Sequence, residues 1–440
     1  MIKYFKSLDE KIKKLLHKNE EYICSLEAEE SSFVRLNENI IRQAGSIKQK
    51  YIDLKIFNDK KHAGVTFTLT GDIKEDESKI ASLVSRLQKV LKNVENDPFF
   101  DVNKEVVSSE SVKSNTVSND DEAVSEIMAL GEGVDVVGVY ASGKIMNGFM
   151  NSFGQFNWSE SASFNFDYSM YYENDKAVKG NYAGLNWNSE KFHVSYTNSK
   201  KQYKLLKKNQ KKLSPGNFRV YIAPSGVMSI MEMLCWGGFS EKQIRTKNSS
   251  LLKLFQQKEA LHKSITIEER IKGAISPNFQ SEGYIKPDVV KLIDNGKYNG
   301  GLISPRTAKE YGLKTNGANM SETPVSLYMA PGDIVCDQIL NQLETGIYIN
   351  NLWYLNYSDR SNCRITGMTR FACFWVEHGE IVAPINVIRF DDSIYNMLGK
   401  NLIGLTREND FFMDAGTYEC RSTDSMNLPG VLIDEVAFTL

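Results

Sequence analysis

The sequence predicts an α+β protein: an N-terminal domain with an antiparallel sheet and covering helices, then a C-terminal, mostly antiparallel β domain with a few helices. Three observations carry this reading. From Glu21 to Thr70 apolar residues recur with a period of two, the pattern of half-buried strands. Residues 2–18 and 76–95 instead place their apolar groups on one helical stripe. Beyond residue 214, short runs rich in Val, Ile, Phe and Tyr alternate with Gly, Asn and Pro turns.

In order, Phe5, Leu8, Ile12, Leu15 and Leu16 define a first amphipathic helix with lysines between them. Strands are expected at 21–28, 32–37, 50–57 and 63–70, with turn residues such as Asn37-Glu38-Asn39 and Asn58-Asp59 between them. Ile80, Leu83, Val84, Leu87, Val90, Leu91 and Val94 form the stripe of a helix that covers this sheet. Residues 101–122 are Ser, Asn, Asp and Glu with few large apolar groups, and read as a mobile loop. A short helix at 121–130 leads to 134–187, where alternation resumes with many aromatics, read as cross-strand pairs of a sheet. The domains are therefore expected at 1–195 and 214–440, joined by a Lys-rich helix or linker at 196–213. In the second half, helices are expected at 249–262 and 331–343, with a short one after the Ser304-Pro305 start. Strands are expected at 265–271, 326–330, 347–357, 371–377, 381–390 and 431–438.

Composition narrows the function classes. The 440 residues are 41% hydrophobic and 25% charged with a net charge of −2, an ordinary globular balance. Such a charge gives no general attraction to nucleic acid or anionic membranes. The lysine run between Lys200 and Lys212 stands alone and reads as a solvated face, so no nucleic-acid partner is expected. No stretch reaches the apolar length of a membrane span, and the charged N-terminus lacks the core of a secretory signal. Six scattered cysteines do not suggest a disulfide framework, and together these features predict a cytoplasmic protein. The five histidines lie at 17, 62, 193, 262 and 378, and no CxxC occurs. No local zinc motif of paired histidines can be built from them.

One stretch concentrates the chemistry: Phe218–Glu241, a short apolar strand, a Pro-Ser-Gly turn and an apolar helix stopped by Gly237-Gly238. Glu232 stands there among Met231, Met233, Leu234, Cys235 and Trp236. A carboxylate in so apolar a run is costly to bury without a partner.

Three segments together resemble the TldD/TldE (PmbA) family, two-subunit peptidases once called modulators of DNA gyrase. They are Phe33–Thr68, the Phe218–Glu241 stretch, and Gly346–Leu398 with its Thr-Gly segment, Glu-x-Gly-Glu-Ile turn and proline-bearing strand. The resemblance implies that an HExxxH zinc motif of the catalytic branch would fall on Met231, Glu232 and Trp236. It further implies that the cysteine completing the metal site would fall on Cys420. Thioether and indole replace both imidazoles, and indole cannot ligate zinc. The chain is thus similar to the TldE/PmbA branch, with no catalytic residue, metal or other cofactor of its own. It would pair with a TldD-type zinc peptidase subunit, where zinc is expected, to enclose unfolded or extended peptides. Such peptides are commonly held by strand addition. A self-associating, homodimeric peptide-binding scaffold of the same fold is the alternative. A third reading, an independent hydrolase using Cys235 or Cys420 as a thiol nucleophile, lacks a neighbouring histidine in sequence.

Overall fold

The computed structural model describes residues 1–113, 120–173 and 176–439. Its first half contains α1 (Ile2–Leu15), β1 (Glu21–Asn37), β2 (Ile40–Asn58), β3 (Lys61–Thr68), α2 (Ile73–Asn93), β4 (Ser109–Lys113), α3 (Asp120–Leu130), β5 (Asp135–Asn151), β6 (Phe156–Tyr171), β7 (Ala177–Gly184) and α4 (Ser189–Leu206). The strands form one sheet in the order β3-β2-β1-β5-β6-β4, with β7 also beside β6, antiparallel except for β4 on β6. α1 and α2 cover one face, where Phe5, Leu8, Ile12, Ile80 and Val84 meet Tyr22, Leu26, Ile52 and Leu54 in one core. Asp72 caps α2 by accepting from the N–H groups of Lys74 and Glu75.

Two differences from expectation have a physical cause. Residues 21–28 and 32–37 belong to a single strand, because the polar residues between them are not a turn. Glu29 and Ser31 are buried and bonded to Arg421 from the far end of the chain. β2 begins ten residues earlier than its apolar run suggests, since residues 40–48 are exposed on both faces and need no alternation. The stretch 101–122, expected as a mobile loop, contains β4 and the start of α3, while 114–119 lie outside the described residues. The buried aromatics of β5 and β6 do pack as a core, with α4 adding Phe192, Tyr196 and Leu206. That helix runs through residue 206, so a boundary at 195 falls inside a helix, not at a linker.

The second half contains β8 (Gly216–Ile222), α5 (Pro224–Cys235), α6 (Glu241–Arg245), α7 (Leu252–Phe255), β9 (Ile267–Arg270), β10 (Val289–Asp294), β11 (Lys297–Tyr298), α8 (Pro305–Tyr311), β12 (Ser326–Met329), α9 (Ile339–Leu343), β13 (Gly346–Asp359), β14 (Arg364–Glu377), β15 (Glu380–Pro384), β16 (Arg389–Ser393), β17 (Leu402–Met413) and β18 (Ser425–Phe438). The sheet order is β11-β10-β9-β12-β18-β16-β14-β13-β8, with β17 beside β18 and β15 beside β14. β8 pairs with β13 on one side and with β18 on the other, so β18, β16, β14, β13 and β8 close into a ring. Closure removes the free edges of those strands. Ala372 and Phe374 of β14 enter the aromatic core of the first half, which ties the two halves together.

Helix is shorter here than expected. Only Leu252–Phe255 is α-helical within 249–262, and Gln257 in the left-handed region ends that turn. Within 331–343, helix begins only at Cys336, because the N–H groups of Gly332 and Ile334 are bonded to the carbonyls of Thr406 and Leu405 on β17. The expected strand 381–390 is two strands, β15 and β16. β17 was not anticipated, since Arg407-Glu408-Asn409-Asp410 breaks any alternation. Among the described residues no helix is long and apolar enough to cross a membrane. All six cysteines are free thiols.

Candidate functional site

The helix that follows β8 sets the site. Pro224 occupies its first turn, where its missing N–H costs nothing, and Ser225 Oγ donates to the Asn350 carbonyl at 2.7 Å. A Cβ on Gly226 would come within 2.5 Å of Ile222 Cγ2, so glycine lets α5 lie close on its own strand. Val227, Ile230, Met231 and Leu234 enter the core of the second half. Met228, Glu232, Cys235 and Trp236 fall at i, i+4, i+7 and i+8, and this one helical face lines a cavity of about 710 Å³. Gly237 at φ +83° ends the helix, and the Arg360 guanidinium closes it by donating to the Trp236 carbonyl.

The opposite wall comes from distant chain. Asp167 of β6 and Asn181 of β7 line it, with Asp414 and Asp424 at the two ends of the loop between β17 and β18. The Asp414 N–H donates to the Asp424 carbonyl at 2.9 Å, which closes that loop. Asn165 donates to the carbonyls of Met413 and Asp414 at 3.2 and 3.1 Å. Arg421, only 6% exposed, donates to Ser31 Oγ at 3.2 Å and to Ser163 at 3.1 Å. The loop is thus pinned to the first sheet, and its two aspartates face α5.

Four carboxylates share this cavity with few counter-charges. The Glu232 side chain is reached by solvent, yet the cavity walls displace most of the water around it. Burial therefore raises its pKa, Asp414 and Asp167 add to the rise, and Lys179 opposes it. Among the described residues the Glu232 carboxylate has no hydrogen-bond or ion-pair partner. Asp424 is pushed up to about 6, chiefly by burial, with Lys286 opposing and Asp414 adding. Burial also raises Asp167, against the pull of Lys179 and Asn181. The Cys235 thiol is pushed up to about 12 by burial, then by Glu269, Glu232 and Asp424. A thiol so raised carries almost no thiolate at neutral pH and is a poor nucleophile.

The four motif positions do not converge. Glu232 and Trp236 line the cavity, and Trp236 is 56% exposed. Met231 points the other way, fully buried in the core. Cys420 lines a separate cavity of about 270 Å³ with Glu27, Lys286 and Arg421, and Asp424 is the wall between the two. Its thiol is pushed up to about 12 by burial, Glu29 and Glu27. Among the described residues no three His, Cys, Asp or Glu side chains are placed to hold a metal ion. An indole, a core-facing thioether and a thiol in another cavity do not fit zinc.

Sequence reasoning missed Asp167, Asp414, Asp424, Asn181 and Arg360. Asp167 reads as an ordinary polar position of an alternating strand. The only local signal was the Gly416–Cys420 segment before the last strand, which lies within the loop carrying Asp414 and Asp424.

Comparison with known proteins places this geometry in context. Residues 215–440 match the model of the PmbA/TldA metallopeptidase C-terminal domain. TldE from Thermococcus kodakarensis has a similar fold, with a TM-score of 0.78 at 14% identity over 99% of this chain and 100% of that one. A Thermotoga maritima protein described as a candidate modulator of a DNA gyrase superposes with a TM-score of 0.75 at 16% identity, over 99% and 100% of the two chains. A similar Bacteroides thetaiotaomicron protein gives 0.71 at 15% identity, over 99% and 98%. No curated protein sequence matches the chain. At these identities the structural likenesses show the fold.

Proposed function

The chain belongs to the PmbA/TldA metallopeptidase family, and from that premise we propose that it is a non-catalytic, TldE-like subunit of a two-chain peptidase. It pairs with a TldD-type subunit that carries the zinc, and together they enclose unfolded or extended peptides for hydrolysis. One observation carries this reading. The helix face of Met228, Glu232, Cys235 and Trp236 lines a roomy cavity, yet it offers no imidazole and no assembled donor set. Without a metal-bound water, Glu232 has no activated nucleophile to serve. The cavity is large enough for a stretch of peptide but supplies walls in place of a catalytic centre. The proposal places the pair in the cytoplasm, a reading supported by six scattered cysteines that suggest no disulfide framework.

Two measurements test the proposal. Elemental analysis of the isolated chain should find no stoichiometric zinc, while a complex with a TldD-type protein of the same genome should contain it. Co-purification should yield that complex, and peptide cleavage should need both chains. Stoichiometric zinc in the isolated chain, or cleavage unaffected by its removal from the mixture, overturns the assignment.

A further inference from the structure

Asp167, Glu232, Asp414 and Asp424 line the cavity on the solvent side of α5, and Arg360 is the one cation among its lining residues. That guanidinium is committed elsewhere. It donates to the Trp236 and Asn248 carbonyls and lies over the Tyr357 ring at 5.4 Å. The chain as a whole carries only −2, so the excess of negative charge is local to this cavity. A concave wall of one sign focuses its field and attracts the opposite sign. The carboxylates are not gathered for a metal ion, since among the described residues no three His, Cys, Asp or Glu side chains could hold one. Charges spread around a cavity of about 710 Å³ suit a larger, organic cation.

Features that carry no charge narrow the kind of cation. Between the carboxylates the wall is apolar, with Met228, Trp236, Phe412, Met413 and Met426. Trp236 is 56% exposed, and no ring or cation is stacked on its indole among the described residues. An open indole face attracts ammonium and guanidinium groups, and apolar walls match the aliphatic stems that carry them in lysine and arginine. A second cavity, of about 640 Å³, shares Asn181 and Phe412 with the first. Amides and hydroxyls line it, among them Ser195, Asn198 and Gln202. Asn181 and Gln202 each keep a side-chain oxygen that is shielded from water and has no donor. Neutral groups of this kind bond a peptide backbone without reading its side chains. A ligand that reaches both cavities is a chain, not a small free amine.

We propose that this cavity binds a lysine or arginine side chain of an extended peptide. The cation sits among Asp167, Glu232, Asp414 and Asp424 beside Trp236, and the flanking backbone lies in the adjoining amide-lined cavity. The site stands on the cavity itself, while a peptide as its occupant rests on the peptidase reading above. Glu232 then has a use that needs no metal: its carboxylate faces a substrate cation in place of an activated water. Burial and then the neighbouring carboxylates make Glu232 harder to ionise, and a bound cation relieves the second of these. The subunit thereby biases the pair towards basic segments, contributing selectivity without chemistry.

The test is calorimetric titration of the isolated full chain at neutral pH, which needs neither zinc nor a second subunit. The probe is a blocked, alanine-based octapeptide with two lysines, and the controls carry glutamine or glutamate in their place. The lysine peptide should bind at least about tenfold tighter than the glutamine peptide, and the glutamate peptide should not bind detectably. Its affinity should fall as salt rises from about 0.05 M to about 0.5 M. Glu232→Gln keeps the side-chain size and removes repulsion, so the fold is retained. It should weaken binding about fivefold, as should Asp414→Asn. Trp236→Ala should weaken it about threefold. Absence of binding, equal affinity for the lysine and glutamine peptides, or binding that both carboxylate variants leave unchanged overturns the proposal. Spermidine bound as tightly as the lysine peptide overturns the peptide as occupant. Stoichiometric zinc in the isolated chain would end the two-subunit reading and leave this result standing, whereas failure here leaves that pairing and its zinc test intact.

Discussion

The cavity beneath α5 and the smaller one around Cys420 share a wall at Asp424 but are held together by different means. Around α5 the apolar side is locked in core and the polar side is left to solvent and to mutually repelling carboxylates. Around Cys420 the charge is internal and satisfied: Arg421 and Glu29, both nearly inaccessible, are bonded to serines and backbone. The first arrangement is a surface kept available. The second is a fastening that sets where the first one's aspartates stand.

The strongest way to break that contrast is Arg421→Ala. It removes the guanidinium's bonds to Ser31 and Ser163 from a buried position, and with bonds to a charged group worth about 1.5–3 kcal/mol each should cost about 3–5 kcal/mol in denaturant unfolding. A cost below about 1 kcal/mol would show that the loop is not fastened by this residue. Next comes an attempt to rebuild the metal motif. Met231→His buries an imidazole among aliphatic side chains and should destabilise by about 2–3 kcal/mol. Trp236→His, on the solvent side, should change stability by no more than about 0.5 kcal/mol. The double variant should still lack stoichiometric zinc by elemental analysis, because the two positions face different ways; tight zinc binding would refute the placement of Met231.

The smallest effect is a pH slope. Asp424 titrates at about 6 in the folded chain, above its unfolded value near 3.9. The folded state therefore holds more protons across that window, and this group's contribution to stability falls as pH rises from about 4 to about 6. Asp424→Asn should flatten the slope of unfolding free energy in that window. An unchanged slope would show that burial does not hold the Asp424 carboxyl above its ordinary range.

Much of this was legible in advance. The amphipathic stripes of α1 and α2 and the alternation of β1, β5 and β6 are local patterns, and local packing fulfils them. Glu232 stood out because an acid in an apolar helix is a local anomaly. Its companions did not, because Asp167 and Asp414 reach the cavity only through sheet pairing and loop docking over hundreds of residues. The same reason hid β17, whose polar middle is tolerated by pairing with β18, and hid the strand role of Glu29 and Ser31.

The ring of strands in the second half has a consequence for the newborn chain. Val431 of β18 lies beside Ile222 of β8, about 200 residues earlier. Until that late strand emerges from the ribosome, β8 has only β13 to lean on, and the core above α5 stays open. Contacts so remote in sequence form slowly. Nonsense or frameshift lesions before residue 425 should therefore yield chains with a finished first sheet and an unclosed second, the kind of half-built product that quality-control proteases remove.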